Sequence, residues 1–193
     1  MKISNTLHLR TAIAVASLLC SWGSAHAFDD QGIGIYGEGG RAVRGGEAGG
    51  TNSATVGVMI PWTPFESLRT PSMSTYLDVF VSNWHVTPVV QDGHSNYLQV
   101  GVIPILRYRF SEGMSPWFIE GGIGATVMNH LYRTPEHQFS TAFQFTEALG
   151  VGRSFGERGQ HEVSFRIQHF SNAGIKEPNP GENFYKLRYA YRF

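Results

Sequence analysis

Residues 96–110 read Asn-Tyr-Leu-Gln-Val-Gly-Val-Ile-Pro-Ile-Leu-Arg-Tyr-Arg-Phe. Leu98, Val100, Val102, Leu106, Tyr108 and Phe110 share one parity; Gln99, Gly101, Arg107 and Arg109 share the other. Successive side chains of a strand point to opposite faces, so this period of two predicts a long β-strand with one apolar and one polar face. The pattern recurs on both sides. Towards the C-terminus, 116–128 sets Trp117, Ile119, Ile123 and Val127 against Glu120, Gly122, Gly124 and Thr126. Towards the N-terminus, 73–85 sets Leu77, Val79 and Val81 against Asp78, Phe80 and Ser82.

Five further segments read the same way, at 31–43, 51–60, 140–154, 161–170 and 183–193, which makes eight strands. Eight two-faced strands build a small barrel, and the question is which face lies outside. A soluble barrel fills its interior with the apolar face, whereas a membrane barrel turns that face to lipid. The polar faces here hold Gly, Thr, Gln, Arg and Glu, which suit a narrow interior. The closing Tyr189-Ala190-Tyr191-Arg192-Phe193 alternates aromatics and ends on phenylalanine, as bacterial outer-membrane barrels typically do. The expected fold is therefore all-β, an eight-stranded antiparallel transmembrane β-barrel. Ser111–Ser115 and Ser154–Gly159 fit periplasmic turns. The connections near 44–50, 86–95, 129–139 and 171–182 fit extracellular loops. One residue breaks the pattern: Glu147 shares parity with Phe143, Phe145 and Val151 on the presumed lipid face.

Residues 1–27 read as a cleaved secretory signal peptide. Lys2 and Arg10 open it, 11–20 form a short apolar core, and Ala25-His26-Ala27 is an A-x-A cleavage site. Cys20, the one cysteine, falls inside it, so the barrel over 28–193 has neither disulfides nor thiol chemistry. With Lys2 and Arg10 removed from the 15 basic side chains, 13 remain against 15 acidic ones. No basic excess argues for nucleic acid. The spacings of His85, His94, His130 and His137 match no metal-ligand pattern, and these residues are expected to be solvated at the extracellular rim. Trp62, Trp84 and Trp117 are expected in the aromatic girdles.

Chemistry concentrates in Gln168-His169-Phe170-Ser171-Asn172-Ala173 and the following Pro178-Asn179-Pro180-Gly181-Glu182. His169 and Ser171 continue the apolar parity of Val163, Phe165 and Ile167, so both side chains are expected outside the barrel at its extracellular end. They stand two residues apart on one face, hence as neighbours. A serine, a histidine and a nearby carboxylate are the three groups of a serine hydrolase. The bland alternative is a pair of rim residues satisfied by water and headgroups.

The H-x-S-N-A-x-I…P-N-x-G…E pattern over this segment resembles the lipid A 3-O-deacylases (the PagL family), most sharply over 165–193. The resemblance implies Ser171 as nucleophile, His169 as general base and Glu182 as the acid that orients the imidazole. Asn172 and Asn179 match the asparagines of the oxyanion site. The family pattern runs P-N-x-G-x-E, and here Glu182 follows Gly181 at once, one position early; Glu177 is a second candidate acid. The implied activity is hydrolysis of the ester at position 3 of lipid A, with lipopolysaccharide in the outer leaflet as substrate and with no metal or organic cofactor. The implied location is the bacterial outer membrane, and a homodimer is one possible assembly. Two alternatives stand beside this reading: a non-enzymatic adhesin or structural barrel, and another lipid-modifying barrel such as an acyltransferase or phospholipase.

Overall fold

The computed structural model describes residue 28 and residues 30–43 and 50–193. The leader expected over 1–27 and most of the loop expected near 44–50 lie outside the described residues. Eight strands follow in order: β1 (Gly34–Ala42), β2 (Gly50–Pro61), β3 (Met73–Thr87), β4 (Asn96–Arg109), β5 (Trp117–Met128), β6 (Phe143–Phe155), β7 (His161–Ser171) and β8 (Glu182–Arg192). Each pairs antiparallel with the next, and β8 returns to pair with β1, closing the barrel. Closure satisfies every strand edge internally, the condition for strands to span lipid.

The alternating sequence fixes the two faces. Along β4 the burial alternates so that Gln99, Ile103, Arg107 and Arg109 point inwards while Leu98, Val100, Val102, Leu106 and Tyr108 point outwards. The outer wall is therefore apolar and the lumen charged, the arrangement of a transmembrane barrel. The sixth strand begins later than expected, at Phe143. Ser140 and Thr141 are engaged in loop hydrogen bonds instead, Ser140 Oγ donating to Lys176 O at 2.7 Å and Thr141 Oγ1 to Phe143 O at 2.7 Å.

The lumen is packed rather than open. Arg107 bridges Asp30, Glu120 and Glu162 at 2.7–3.2 Å. Arg166 joins Asp78 at 2.9 Å and Glu120 at 2.5 Å, and Arg188 joins Glu38 and Asp78, both at 2.9 Å. In a medium of low permittivity each such charge needs its partners, and here they have them. Above this network, at the end carrying the long loops, Trp84 packs against Tyr132, Phe139, Phe170 and Phe184 with ring centroids 4.5–6.4 Å apart. This corrects one expectation. Trp84 shares the inward parity of Phe80 and Ser82, so it is fully buried in an aromatic stopper instead of standing in a girdle; Trp62 and Trp117 do face outwards.

Candidate active site

Three adjacent strands build the site. β7 alternates cleanly to its end: Ser164, Arg166, Gln168 and Phe170 fill the lumen, and Phe165, Ile167, His169 and Ser171 face out. His169 is paired directly with Glu147 on β6 and with Asn183 on β8. A polar row, Glu147–His169–Asn183, thus crosses the outer wall near its upper rim. Ser171 stands one step further towards the rim, opposite Phe145. One step towards the membrane centre, the corresponding row is Leu149, Ile167 and Tyr185, all exposed. The polar row lies where lipid-facing apolar surface meets the rim.

Nδ1 of His169 lies 2.8 Å from Asn183 Oδ1. The Cε1–Nε2 edge of the ring lies close to Gly181, whose φ is +66°; a Cβ there would lie 2.8 Å from His169 Cε1 and 3.4 Å from Nε2. Only a glycine fits both the backbone and the ring. The imidazole has one side-chain partner, Asn183, and among the described residues no hydrogen bond links it to Ser171 Oγ. The two side chains are brought onto one face as adjacent outward positions of one strand, and catalytic contacts of this kind commonly tighten only when substrate is bound.

The loop after β7 is an Asn-centred turn. Asn172 Oδ1 accepts the Gly174 N–H at 2.9 Å, while its Nδ2 donates to Lys176 O at 2.7 Å and Ser140 Oγ at 3.0 Å. Its backbone N–H donates to Asn179 Oδ1 at 3.0 Å, and the Asn179 N–H donates to Glu177 Oε2 at 2.9 Å. Side-chain bonds to nearby backbone are what asparagine brings to a turn. Asn172 is therefore a buried brace with both amide hydrogens engaged, not a free donor as expected from sequence. Asn179 directs only its oxygen to the loop.

Glu182 departs most from expectation. It opens β8 on the lumen side, 1% exposed, and its Oε2 accepts from Tyr132 Oη at 2.9 Å and faces His137 Nδ1 at 3.2 Å. The structure joins it to the aromatic stopper, not to His169. The register shows why: in β8 the residues facing outwards are Asn183, Tyr185, Leu187 and Tyr189, and Glu182 has the other parity. His137 is accordingly tied to the lumen rather than loose at the rim. His94 and His130 stack on each other, with centroids 3.9 Å apart. Among the described residues no cluster of three or more His, Cys, Asp or Glu is arranged to hold a metal ion. Asn183, which sequence reasoning passed over, is the residue that meets the imidazole. A recess of about 1010 Å³ lies on the wall from β8 through β1 to β5, lined by Val56, Val79, Val100, Val127 and Tyr189 among others, away from this row.

A family described as lipid A 3-O-deacylase (PagL) matches residues 52–192. The lipid A deacylase PagL of Bordetella bronchiseptica is 40% identical over 95 residues, 49% of this chain and 50% of that protein. The lipid A deacylase PagL of Pseudomonas aeruginosa is 35% identical over 86 residues, 45% and 48% of the two chains. The matches thus span about half the length of these curated relatives. Among solved structures, the crystal structure of the outer membrane enzyme PagL superposes with a TM-score of 0.61 at 24% identity, covering 83% of this chain and 99% of that one, a likeness of fold.

Proposed function

The chain belongs to the lipid A 3-O-deacylase (PagL) family, and from that premise we propose that it is an outer-membrane esterase that removes the 3-O-linked 3-hydroxyacyl chain of lipid A. The observation that carries this reading is the outward placement of His169 and Ser171 on one face of β7, directly above lipid-facing Ile167 and Tyr185. A substrate arriving sideways from the outer leaflet reaches such a site; a solute crossing a pore would not, and this lumen is filled.

In the proposed reaction Ser171 Oγ attacks the ester carbonyl carbon while His169 Nε2 takes the hydroxyl proton. The tetrahedral intermediate collapses with cleavage of the bond to the sugar oxygen, which receives that proton from the imidazolium. Water, deprotonated by the same nitrogen, then attacks the acyl-serine, releasing a free 3-hydroxy fatty acid and restoring Ser171. One ester and one water give one alcohol and one acid. Asn179 Nδ2, on the loop beside Ser171, is the proposed donor to the oxyanion. The apolar strip at Leu149, Ile167 and Tyr185 provides a surface for the acyl chain. The substrate is lipopolysaccharide, with no metal or organic cofactor. A homodimer is not required, because one chain closes the barrel and carries all three site strands.

Mass spectrometry of lipid A from cells expressing the wild-type chain or Ser171→Ala tests this reading. Loss of one 3-hydroxyacyl chain that depends on Ser171 is expected. A gained chain would indicate an acyltransferase, a change confined to phospholipids a phospholipase, and no change a non-enzymatic barrel.

A further inference from the structure

The partner of the imidazole in this chain is an amide. Asn183 faces His169 directly across the β7–β8 ladder, so strand pairing rather than the reach of a loop sets their 2.8 Å contact. Directly opposed side chains in adjacent strands stand close enough to interact without distortion. Glu182, one residue earlier, is carried into the lumen by the same alternation, and there Tyr132 and His137 share one of its oxygens. Its other oxygen accepts the backbone N–H of Asn183 at 3.2 Å. No rotation of the Glu182 side chain brings it round the barrel wall to His169 while β8 keeps this register.

We propose that Asn183 is the positioning residue of the catalytic base, giving a Ser171–His169–Asn183 arrangement, and that the Glu182 carboxylate secures the lumen stopper. The proposal rests on the Ser171–His169 reading and deepens it. An amide oxygen only accepts hydrogen bonds, so it holds the proton on Nδ1 and leaves the Nε2 lone pair for the Ser171 hydroxyl. Gly181 lies close to the Cε1–Nε2 edge, where a Cβ would crowd the ring, so its lack of a side chain leaves the imidazole room to take this direction. A neutral partner supplies orientation without the charge stabilisation that a carboxylate adds to an imidazolium.

Two measurements on the full chain, refolded in detergent, test the assignment. The first follows release of 3-hydroxy fatty acid from purified lipopolysaccharide by Asn183→Ala, Asn183→Asp and Glu182→Gln. Asn183→Ala is expected to lower kcat on the order of 100-fold with KM nearly unchanged, since a misdirected base forfeits much of the ~10²–10⁴-fold that proton transfer contributes. Asn183→Asp, which keeps an acceptor oxygen at the same reach, restores kcat to within a few-fold. Glu182→Gln leaves kcat within a few-fold and lowers the unfolding temperature. The second is nitrogen NMR of histidine-labelled protein, with the His169 signals assigned by His169→Gln. Wild type should carry its proton on Nδ1, and Asn183→Ala should shift the population towards Nε2. Wild-type kcat in Asn183→Ala, a wild-type ring protonated on Nε2, or a folded Glu182→Gln barrel as inactive as Ser171→Ala each overturns the assignment. Should wild type and Ser171→Ala both release nothing, the deacylase reading fails, and the tautomer measurement still decides the role of Asn183.

Discussion

Two sets of polar residues in this barrel are treated in opposite ways. In the lumen, Arg107, Arg166 and Arg188 interlock with Asp30, Glu38, Asp78, Glu120 and Glu162, each charge facing more than one partner or hydrogen-bond donor. On the outer wall, Glu147, His169 and Ser171 keep unused capacity: Glu147 Oε2 is buried without a hydrogen-bond partner among the described residues, and the imidazole has one side-chain partner. Saturated groups hold a fold together, whereas groups with a vacant donor or acceptor can still react with something. On the proposed reading, polar residues serve stability inside and chemistry outside, and substitutions on the two sides should separate stability from turnover.

The largest effect is expected outside. Ser171→Ala should reduce deacylation of lipopolysaccharide by at least ~10³-fold, about 4 kcal/mol of transition-state stabilisation, because the proposed nucleophile has no substitute. Its unfolding temperature in detergent should match wild type. If activity and thermal stability fell together, the division between reactive wall and structural lumen would be lost. Next comes the lumen. Arg166→Met takes one guanidinium from Asp78, which keeps Arg188 and Tyr36, and one from Glu120, which keeps Arg107 and Tyr76, so the cost should fall below the ~3–5 kcal/mol of leaving a buried charge uncompensated. Thermal unfolding followed by gel mobility should show a lower transition, while folded molecules retain the wild-type kcat.

How far these two regions could be read from the sequence differs for a physical reason. Alternation over 96–110 and its repeats is a statement about parity, and parity survives errors of a few residues at strand ends. The barrel, its polar interior and the outward projection of His169 and Ser171 were accordingly legible. The partner of His169 was not, because it depends on where β8 begins. A loop through residues 171–182 would let Glu182 swing to either side; a strand that begins at Glu182 forces it inwards and presents Asn183 instead. The displacement of Glu182 by one position from the P-N-x-G-x-E pattern was the visible sign, and one residue in a strand exchanges one face for the other. Trp84 misled for a related reason: tryptophan near a strand end suggests a girdle, but its parity places it with Phe80 in the lumen. Asn172 likewise matched a motif whose chemistry is that of a donor, while the local turn engages all its hydrogens.

Asn172 offers an intermediate test. Its amide braces the loop through Lys176 O, Ser140 Oγ and the Gly174 N–H. Asn172→Ala removes the acceptor of the Gly174 N–H and the donor to Ser140 Oγ and Lys176 O, which keep only their bond to each other, and so loosens the turn that carries Asn179 and Gly181. A drop in kcat of roughly ten- to a hundred-fold is expected, since small displacements of positioning groups have effects of this size. Proteolysis should cut the 171–182 loop faster than in wild type. A loop still resistant to protease, with kcat lost, would instead make the side chain a direct participant.

The smallest effect is expected at Glu147, and it bears most directly on the contrast. This carboxylate, in the polar row that interrupts the apolar wall, is the direct cross-strand neighbour of His169, on the side opposite Asn183. Because an amide orients the imidazole without adding charge, Glu147 is the adjacent group able to stabilise the imidazolium as it forms. Cross-strand pairs of opposite charge contribute about 0.2–1 kcal/mol, so Glu147→Gln should lower kcat only a few-fold. Removing an unpaired charge from a lipid-facing wall should leave the unfolding temperature equal or higher. The informative comparison is with Asn183→Asp. If Glu147 supplies charge, the loss caused by Glu147→Gln shrinks once residue 183 carries a carboxylate, and the two substitutions are non-additive. Additive effects would assign Glu147 to another task, such as contact with the sugar or its phosphate counter-ions, and would leave Asn183 as the sole partner of the base.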